Sequence, residues 1–322
     1  LYYAAKLTYT QFSRFGKMEN GRAAVDNVQS YGRGQKWSKF TPSFKLGASY
    51  IIDNRNKLSV NSLYELRSPI PNNAYVSPRI KDTFVKGLAP EKVYTVDIAY
   101  NFNYKSVKGR ISVFNTTIKD GVELSSYYDD SYRTFVNHSL TNINKSYKGI
   151  EAGIAVKLNS SFTLSLAGTI AEYVYTDSVK GILSPENGAF KDIEDDVMLK
   201  GLKLSTGPQT AGSIALDYFH PKMWFVGVAL NYFDNNYVDV APLRFTKKYL
   251  ALYSNEFLYN SLATQEKLKA GFMLDFSLGK VVYLKNRHSL NFNISANNIL
   301  NSKLITGGFQ QARIPYDDNA VT

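Results

Sequence analysis

The amino-acid sequence predicts an all-β protein, a partial antiparallel transmembrane β-barrel. Three observations support this fold class: segments that alternate between apolar and polar residues, links that alternate between short and long, and aromatic residues near strand ends. Alternation with a period of two is typical of a strand, because successive side chains point to opposite faces of a sheet. No stretch of about 18 apolar residues occurs, so the sequence contains no candidate transmembrane helix.

The clearest predicted strand is Val93–Tyr104. Every second residue from Tyr94 onward is apolar, whereas Thr95, Asp97 and Asn101 lie between them. A strand of a membrane barrel places apolar side chains against lipid and polar side chains in the lumen. We therefore expect the face of Tyr94 to contact lipid and the face of Asp97 to line an aqueous or plugged lumen.

Ten further segments are predicted strands, although the phase of 109–118 is ambiguous. They are 2–15, 39–52, 57–67, 109–118, 147–158, 162–175, 209–219, 222–233, 268–278 and 289–298. Aromatic residues lie near the ends of several strands, as the interfacial belt of a membrane protein requires. Tyr50, Tyr104 and Trp224 are near short links, and Tyr64 and Tyr232 are near long ones.

The links between predicted strands alternate in length. Short links at 53–56, 105–109, 159–161, 220–221 and 281–288 alternate with long links at 16–38, 68–92, 119–146, 176–208 and 234–267. Ordinary loops have about four to six residues. A soluble sandwich has no reason for this alternation, whereas outer-membrane barrels have short periplasmic turns and long extracellular loops.

Eleven strands do not close a barrel with the usual even number of strands. An open sheet edge in lipid would leave backbone groups unpaired at several kcal/mol each. We therefore expect residues 1–322 to be part of a single barrel domain that is truncated at both ends, with the missing strands supplied from outside this segment.

Composition narrows the function classes. The chain has 24 Tyr, 19 Phe and no Cys, which excludes disulfides, zinc-thiolate sites and thiol nucleophiles. The formal net charge is +11, but Lys and Arg are scattered without a basic run. We therefore interpret the charge as a solvated surface and expect no nucleic-acid partner. No signal peptide is visible.

Several motifs occur in a characteristic order. They are YVSPRIKD (75–82), LAPEKVYTVDIAY (88–100), FVN (135–137), YKGIEAGI (147–154), TGPQ (206–209), QEKL (265–268), ANNILN (296–301) and TGGFQQAR (306–313). With these motifs the chain resembles the C-terminal half of the barrel of TonB-dependent outer-membrane receptors. The most similar branch is the Bacteroidota-type group with a carboxypeptidase-regulatory-like domain.

This resemblance implies a plugged barrel of 22 strands, in which these eleven would be the eleventh to the twenty-first. It implies a receptor and transporter in the outer membrane of a Gram-negative bacterium that imports a scarce nutrient, such as a siderophore, cofactor, glycan or peptide. The implied partners are outer-membrane lipid, an upstream plug domain and the TonB complex. A surface lipoprotein lid is a further candidate partner.

Two groups of side chains are candidates for binding. Polar residues expected to face the lumen could contact a plug or a substrate, or could only form a wet barrel wall. They are Lys45, Glu65, Arg67, Asp97, Asn101, Asp217, Asp275, Asn291 and Asn293. Aromatic residues in the long links could capture a ligand at the mouth, or could pack among themselves. They are Tyr127, Tyr128, Tyr132, Phe190, Tyr249, Tyr253 and Tyr259.

The sequence contains few motifs that would support catalysis or metal binding. The carboxylates of 127–132 and 191–196 lack the glycine and terminal glutamate of an EF-hand loop. His138, His220 and His288 are far apart in the sequence, and no G-x-S-x-G, Walker A or H-E-x-x-H motif occurs. We expect no enzyme, no metal site and no cofactor.

Two other function classes stay open at this point. One is a passive outer-membrane porin or surface adhesin, whose loops bind without energy coupling. The other is a soluble β-rich binding protein, which would be extracted without detergent. An upstream plug with a TonB-binding box would distinguish active import from both.

Overall fold

A computed structural model describes residues 1–17, 30–130, 132–251, 264–285 and 288–312, which form one antiparallel sheet. Its thirteen strands are β1 (Tyr2–Gly16), β2 (Gly32–Ile51), β3 (Asn56–Arg67), β4 (Glu91–Asn103), β5 (Val107–Asp129), β6 (Thr134–Lys157), β7 (Phe162–Tyr175), β8 (Val179–Pro185), β9 (Ile193–Val197), β10 (Thr210–Phe219), β11 (Trp224–Asp234), β12 (Gly271–Tyr283) and β13 (Ser289–Ala296).

The sheet is an up-and-down meander. Each strand pairs with its neighbours in the order β1-β2-β3-β4-β5-β6-β7-β10-β11-β12-β13, while β8 pairs with β6 and with β9. This order confirms the predicted all-β antiparallel class and is consistent with part of a barrel. A strand occupies each of the eleven predicted positions.

Tight turns join the strands at one end of the sheet. In the β2–β3 turn, Asp53 Oδ1 accepts hydrogen bonds from the backbone N–H groups of Arg55 at 2.7 Å and Asn56 at 2.8 Å. In the β6–β7 turn, Asn159 Oδ1 accepts from Ser161 and Phe162 in the same way. Such side-chain bonds replace the backbone pairing that a chain reversal loses. We call the opposite end of the sheet the long-link end.

The segment predicted as a long link at 119–146 is mostly strand, so that prediction was wrong. β5 and β6 have 23 and 24 residues and form one hairpin, in which Asp129 pairs with Thr134. A bilayer crossing takes only about 9–11 residues of strand. The sequence pattern fails here because the register shifts between Ile118 and Glu123, which breaks the period-two alternation.

A second departure lies in the long link after β7. It contains β8 and β9, which extend the upper part of β6 into a small side sheet. These strands have only seven and five residues, and their pairing partner is distant in the sequence. Period-two alternation over so few residues does not distinguish a strand from a polar loop.

The helices of the described residues are short. They are α1 (Pro71–Ala74), a 3₁₀ turn (Pro242–Phe245) and α2 (Lys247–Leu250), all in long links. Among the described residues, no helix has the length and apolar composition needed to cross a membrane.

A compact apolar core lies at the long-link end, where β6 meets the links after β7 and β11. Its members are Leu140, Ile143, Tyr175, Val179, Val197, Leu199, Leu204, Val240 and Phe245. We call this group the mouth core. Burial of side chains of this size stabilises a fold by roughly 1.5–3 kcal/mol each, so these links are packed parts of the protein.

Candidate functional site

One face of the sheet is apolar, and we call it the outer face. Directly paired residues in a sheet point the same way, so the register places Ile98 of β4 beside Val60 of β3 and Val113 of β5. These three side chains are 38–52% exposed. A row of exposed aliphatic side chains across neighbouring strands is the surface that lipid would cover.

Aromatic rings border the outer face towards the long-link end. Tyr64 lies between Phe44 and Tyr94, with ring centroids 6.5 and 5.1 Å away. On β11 and β12, the rings of Tyr232 and Phe272 are 4.8 Å apart. Aromatic rings near the long-link ends of the strands match the interfacial belt that we predicted for Tyr64 and Tyr232.

The opposite face, the inner face, carries all nine residues that we predicted to face a lumen. The register places on it Lys45, Glu65, Arg67, Asp97, Asn101, Asp217, Asp275, Asn291 and Asn293. Asp97 accepts hydrogen bonds from Asn61 Nδ2 at 2.6 Å and from Arg110 at 3.3 Å. Their contact with a lumen or ligand stays a prediction.

Residues 68–90, between β3 and β4, form a segment that we call the strap. It packs on the inner face at the long-link end through aromatic side chains. Tyr75 and Phe84 of the strap have ring centroids 4.7 Å apart, and both lie against Phe12 of β1 at 6.4 Å. Trp37 of β2 completes the cluster, 6.2 Å from Phe84. The strap is therefore anchored on β1 and β2, which precede it in the chain.

Arg14 of β1 is the polar anchor of the strap. Its guanidinium donates to the backbone oxygens of Pro78 at 2.7 Å and Arg79 at 2.8 Å, and to Asp82 Oδ1 at 2.6 Å. The side chains of Arg14 and Asp82 are only 11% and 8% exposed. A planar guanidinium suits such a fixed multidentate role. No local sequence pattern indicates this role, because Arg14 stands at a strand end like any surface arginine.

The other end of the strap reaches the side sheet. Glu186, directly after β8, accepts a hydrogen bond from Ser77 Oγ at 2.8 Å and forms an ion pair with Arg79. It also accepts from Asn137 Nδ2 of β6 at 3.3 Å. The strap thus connects β1 and β2 with β6 and β8 across the inner face.

Three of the seven predicted loop aromatics lie at or near the tip of the β5–β6 hairpin. The rings of Tyr132 and Phe190 are 4.7 Å apart, and Tyr128 lies edge-on to Phe135 at 5.4 Å. Tyr132 is 47% exposed. The structure therefore brings Tyr132 and Phe190 together, and a ligand role for them stays a prediction.

The remaining aromatic candidates are placed differently. Tyr127 lies in β5 beside Tyr128, and Tyr249 lies in α2. Tyr253 and Tyr259 fall outside the described residues. The sequence candidates did not include Phe135, which packs on Tyr128 and under the Arg79 guanidinium at 4.7 Å. Its contact with Arg79 joins residues far apart in the chain, which no local pattern reports.

Comparison with known proteins decides the family. The family model described as TonB dependent receptor-like, beta-barrel matches residues 5–299. The chain belongs to the TonB-dependent receptor family. This match confirms the family predicted from the motifs. The branch within the family, and the half of the barrel that the chain represents, stay predictions.

Solved structures share the fold of this receptor barrel. The copper transporter OprC is 11% identical with a TM-score of 0.63, over 94% of this chain and 39% of that one. The iron transporter FrpB from Neisseria meningitidis (F5-1 variant, apoprotein form) is 16% identical with a TM-score of 0.53, over the same shares. BauA, the ferric preacinetobactin receptor from Acinetobacter baumannii, is 13% identical with a TM-score of 0.51, over 88% and 35%.

The chain spans about two fifths of the length of these solved receptors. At such low identity the likeness establishes the fold alone. No curated protein matches the sequence significantly.

The acidic run 191–196 of the receptor barrel is engaged in internal contacts. Glu194 forms ion pairs with Lys86 of the strap at 3.3 Å and with Lys180 of β8 at 2.8 Å. Asp195 Oδ2 accepts from the backbone N–H of Lys248, at the start of α2, at 3.0 Å. Within the described ranges, no group of three His, Asp or Glu side chains is arranged to hold a metal ion.

His138 is the most unusual titratable group of the receptor barrel. It lies in the upper half of β6, beyond the length that a bilayer needs, and is 1% exposed. Neither ring nitrogen has a hydrogen-bond partner in the described part of the chain. Burial lowers the pKa of His138 from its ordinary value to about 4, against the opposing effect of Asp195. The sequence predicted no buried histidine, because the segment was assigned to a link.

We expect His138→Leu to stabilise the side sheet by about 1–3 kcal/mol, because it removes buried polar atoms without partners. In the wild type the unfolded state binds more protons than the folded state between the lowered pKa and about 6.5. Stability should therefore fall by up to about 3 kcal/mol as pH drops through that window, and be constant above it. His138→Leu should abolish this pH dependence.

The measurement is hydrogen exchange of the amides of β8 between pH 7 and pH 4, expressed as protection factors corrected for intrinsic exchange. His288→Leu is the matched control, because His288 is exposed at the β12–β13 link. Protection of wild-type β8 that does not change with pH would contradict a buried neutral His138.

Proposed function

We propose that the protein is a TonB-dependent outer-membrane receptor and transporter that imports a scarce nutrient through a plugged barrel. The observation that carries this proposal is the family match over residues 5–299. The two-faced sheet supports it, because an apolar outer face and a polar inner face suit a wall between lipid and an aqueous or plugged lumen. Such a barrel captures and guides its cargo and performs no covalent chemistry.

The barrel proposed here is larger than this chain. In the described residues, β1 pairs only with β2 and β13 only with β12, so both strands present a free edge. Free backbone groups in lipid cost several kcal/mol each, and a closed barrel has no edge. We infer that further strands pair with β1 and β13, in a barrel of 22 strands of which this is the C-terminal half.

The proposed partners follow from the family. They are the outer-membrane lipid of a Gram-negative bacterium, a plug domain belonging to the same protein, and the TonB complex that acts on the plug. A surface lipoprotein lid, which accompanies the glycan- and peptide-importing branch of the family, is a further candidate partner. The proposed cargo is a siderophore, cofactor, glycan or peptide. The similarity in fold to the solved receptors does not distinguish among these classes.

The first test is the mass of the protein extracted with detergent from the outer membrane. Residues 1–322 weigh 36.2 kDa. We expect a mass well above twice this value and an N-terminal sequence that contains a globular plug. A mass near that of the segment would contradict the 22-strand barrel and favour a small porin.

Energy coupling is tested in cells. Depletion of nutrients from a defined medium is followed for the wild type, a strain without the receptor and a strain without TonB. We expect the same nutrient to persist in the medium of both deletion strains. Uptake that needs the receptor but not TonB would contradict active import and indicate a passive porin, and no uptake change would favour an adhesin.

A further inference from the structure

Four lysines share the inner face of the first three strands. The register places Lys6 of β1, Lys39 and Lys45 of β2, and Lys57 of β3 on the same side as Asn101. Lys39 and Lys45 are six residues apart, which corresponds to about 20 Å along an extended strand. The four ammonium groups therefore form a series along the wall, which we call the lysine track.

The lysine track has no fixed counter-charges. All four side chains are exposed, and no carboxylate lies within 4.0 Å of their ammonium groups in the part of the chain that the structure describes. Glu65 is the one carboxylate that β1, β2 and β3 contain. The positive charge of this part of the wall is therefore largely uncompensated within the wall itself.

Three of the fixed pairs on the inner face use arginine, and one, Lys145 with Glu123, uses lysine. Arg14 binds Asp82, Arg67 binds Glu91 and Arg110 binds Asp97. An arginine fork holds a carboxylate in one geometry, whereas a lysine is a flexible, hydrated point charge. Lys39 lies over the Trp37 ring at 5.8 Å, but none of the four has a carboxylate partner in the described residues. Exposed lysines without carboxylate partners suit brief contacts with a moving anion better than permanent contacts with a docked protein surface.

The far part of the inner face has the opposite character. Asp217 of β10 and Asp275 of β12 lie on the same face of the sheet as the lysine track, and β7, β10, β11, β12 and β13 place no lysine or arginine on that face. Between these parts, β5 and β6 carry both signs, with Lys108 and Arg110 as well as Glu151. The first and the last strands of the wall thus differ in the sign of their charge. Between low-dielectric walls, such a separation focuses the electrostatic potential and raises the local concentration of an anion on the basic side.

We propose that the lysine track binds and guides an anionic cargo, a small solute with two or more carboxylate or other oxyanion groups. The proposal rests on the proposed transport function and adds to it the chemical class of the cargo and the side of the barrel that it follows. Lys45 lies between Ala4 and Leu63 on the neighbouring strands, so its ammonium group has no competing polar neighbour directly across the sheet. It is the first residue to test.

The test measures retention of radiolabelled citrate, a trianion, by the full-length receptor in detergent, with sucrose as the neutral probe. We expect citrate to bind at low ionic strength and to be released by salt. The receptor should retain more citrate than sucrose. Loss of one ammonium contact with the trianion corresponds to about 1 kcal/mol, so Lys45→Gln should weaken citrate binding about fivefold. The double variant Lys45→Gln, Lys57→Gln should weaken it about 25-fold if the two effects add.

Lys36→Gln is the matched control. Lys36 is an exposed lysine of the same strand on the outer face, and its replacement removes the same charge. We expect it to change citrate binding less than twofold. Equal losses for Lys36→Gln and Lys45→Gln would overturn the proposal, because the effect would then come from net charge alone.

Two further results would overturn the proposal. One is retention of citrate no greater than that of sucrose by the wild type. The other is a double variant that retains citrate fully but melts at a lower temperature, as expected if the track only docks a plug. This assay needs neither TonB nor an energised membrane, so its outcome is independent of the cellular test of active import.

Discussion

Replacing Arg14 with leucine is expected to release the strap from β1. The variant removes three donors to the strap and leaves Asp82 charged in a site that is almost fully buried. Removing one partner of a buried ion pair costs about 3–5 kcal/mol. The loss should appear as local opening of residues 70–88, measured by hydrogen exchange or limited proteolysis, while the sheet stays folded.

Two variants make this result specific. Arg67→Leu breaks the pair with Glu91, whose side chains are 52% and 24% exposed, and should cost no more than about 1 kcal/mol. The double variant Arg14→Leu, Asp82→Leu removes both buried charges and should recover part of the loss. Unchanged protection of the strap in Arg14→Leu would show that the aromatic cluster anchors it alone.

The second large effect is expected at Ile98, in the middle of the outer face of β4. A charged residue on the lipid face near the bilayer midplane costs about 2–4 kcal/mol. Ile98→Arg should therefore lower the amount of folded receptor in the outer membrane. In lipid vesicles it should lower the urea midpoint for unfolding.

Thr95→Arg is the control on the neighbouring inner face of the same strand. Thr95 meets Thr116 with hydroxyl oxygens 3.0 Å apart, so the substitution removes one hydrogen bond but exposes the new charge to the polar side. Substitutions on the lumen side are tolerated far better than those on the lipid side. Equal destabilisation by both variants would contradict our assignment of the two faces.

The sequence predicts the strands well wherever strict alternation is bounded by a tight turn. Strand β4 is found almost at its true ends, because Tyr94 and its alternating successors are apolar while Asp97 and Asn101 between them are polar. The same alternation placed nine polar residues on a common face. Alternation reports the orientation of a side chain, which depends only on local geometry.

The parts that sequence reasoning missed depend on distant contacts. The upper half of the β5–β6 hairpin is obscured by a register shift near Asp120, whose φ is 61°. Strand β8 is defined by its pairing with β6, and its own sequence does not predict a strand. The role of Arg14 depends on residues 64–68 positions away, and no local pattern reports such a contact.

The position of Glu186 makes one end of the strap depend on the side sheet. Its partners Ser77 and Arg79 precede it by 109 and 107 residues, and Asn137 precedes it by 49. The carboxylate is held beside the strap by the pairing of β8 with β6. The attachment of the strap at Arg14 needs no residue of the side sheet. Loss of β8 pairing would therefore free the strap at one end and leave it fastened at the other.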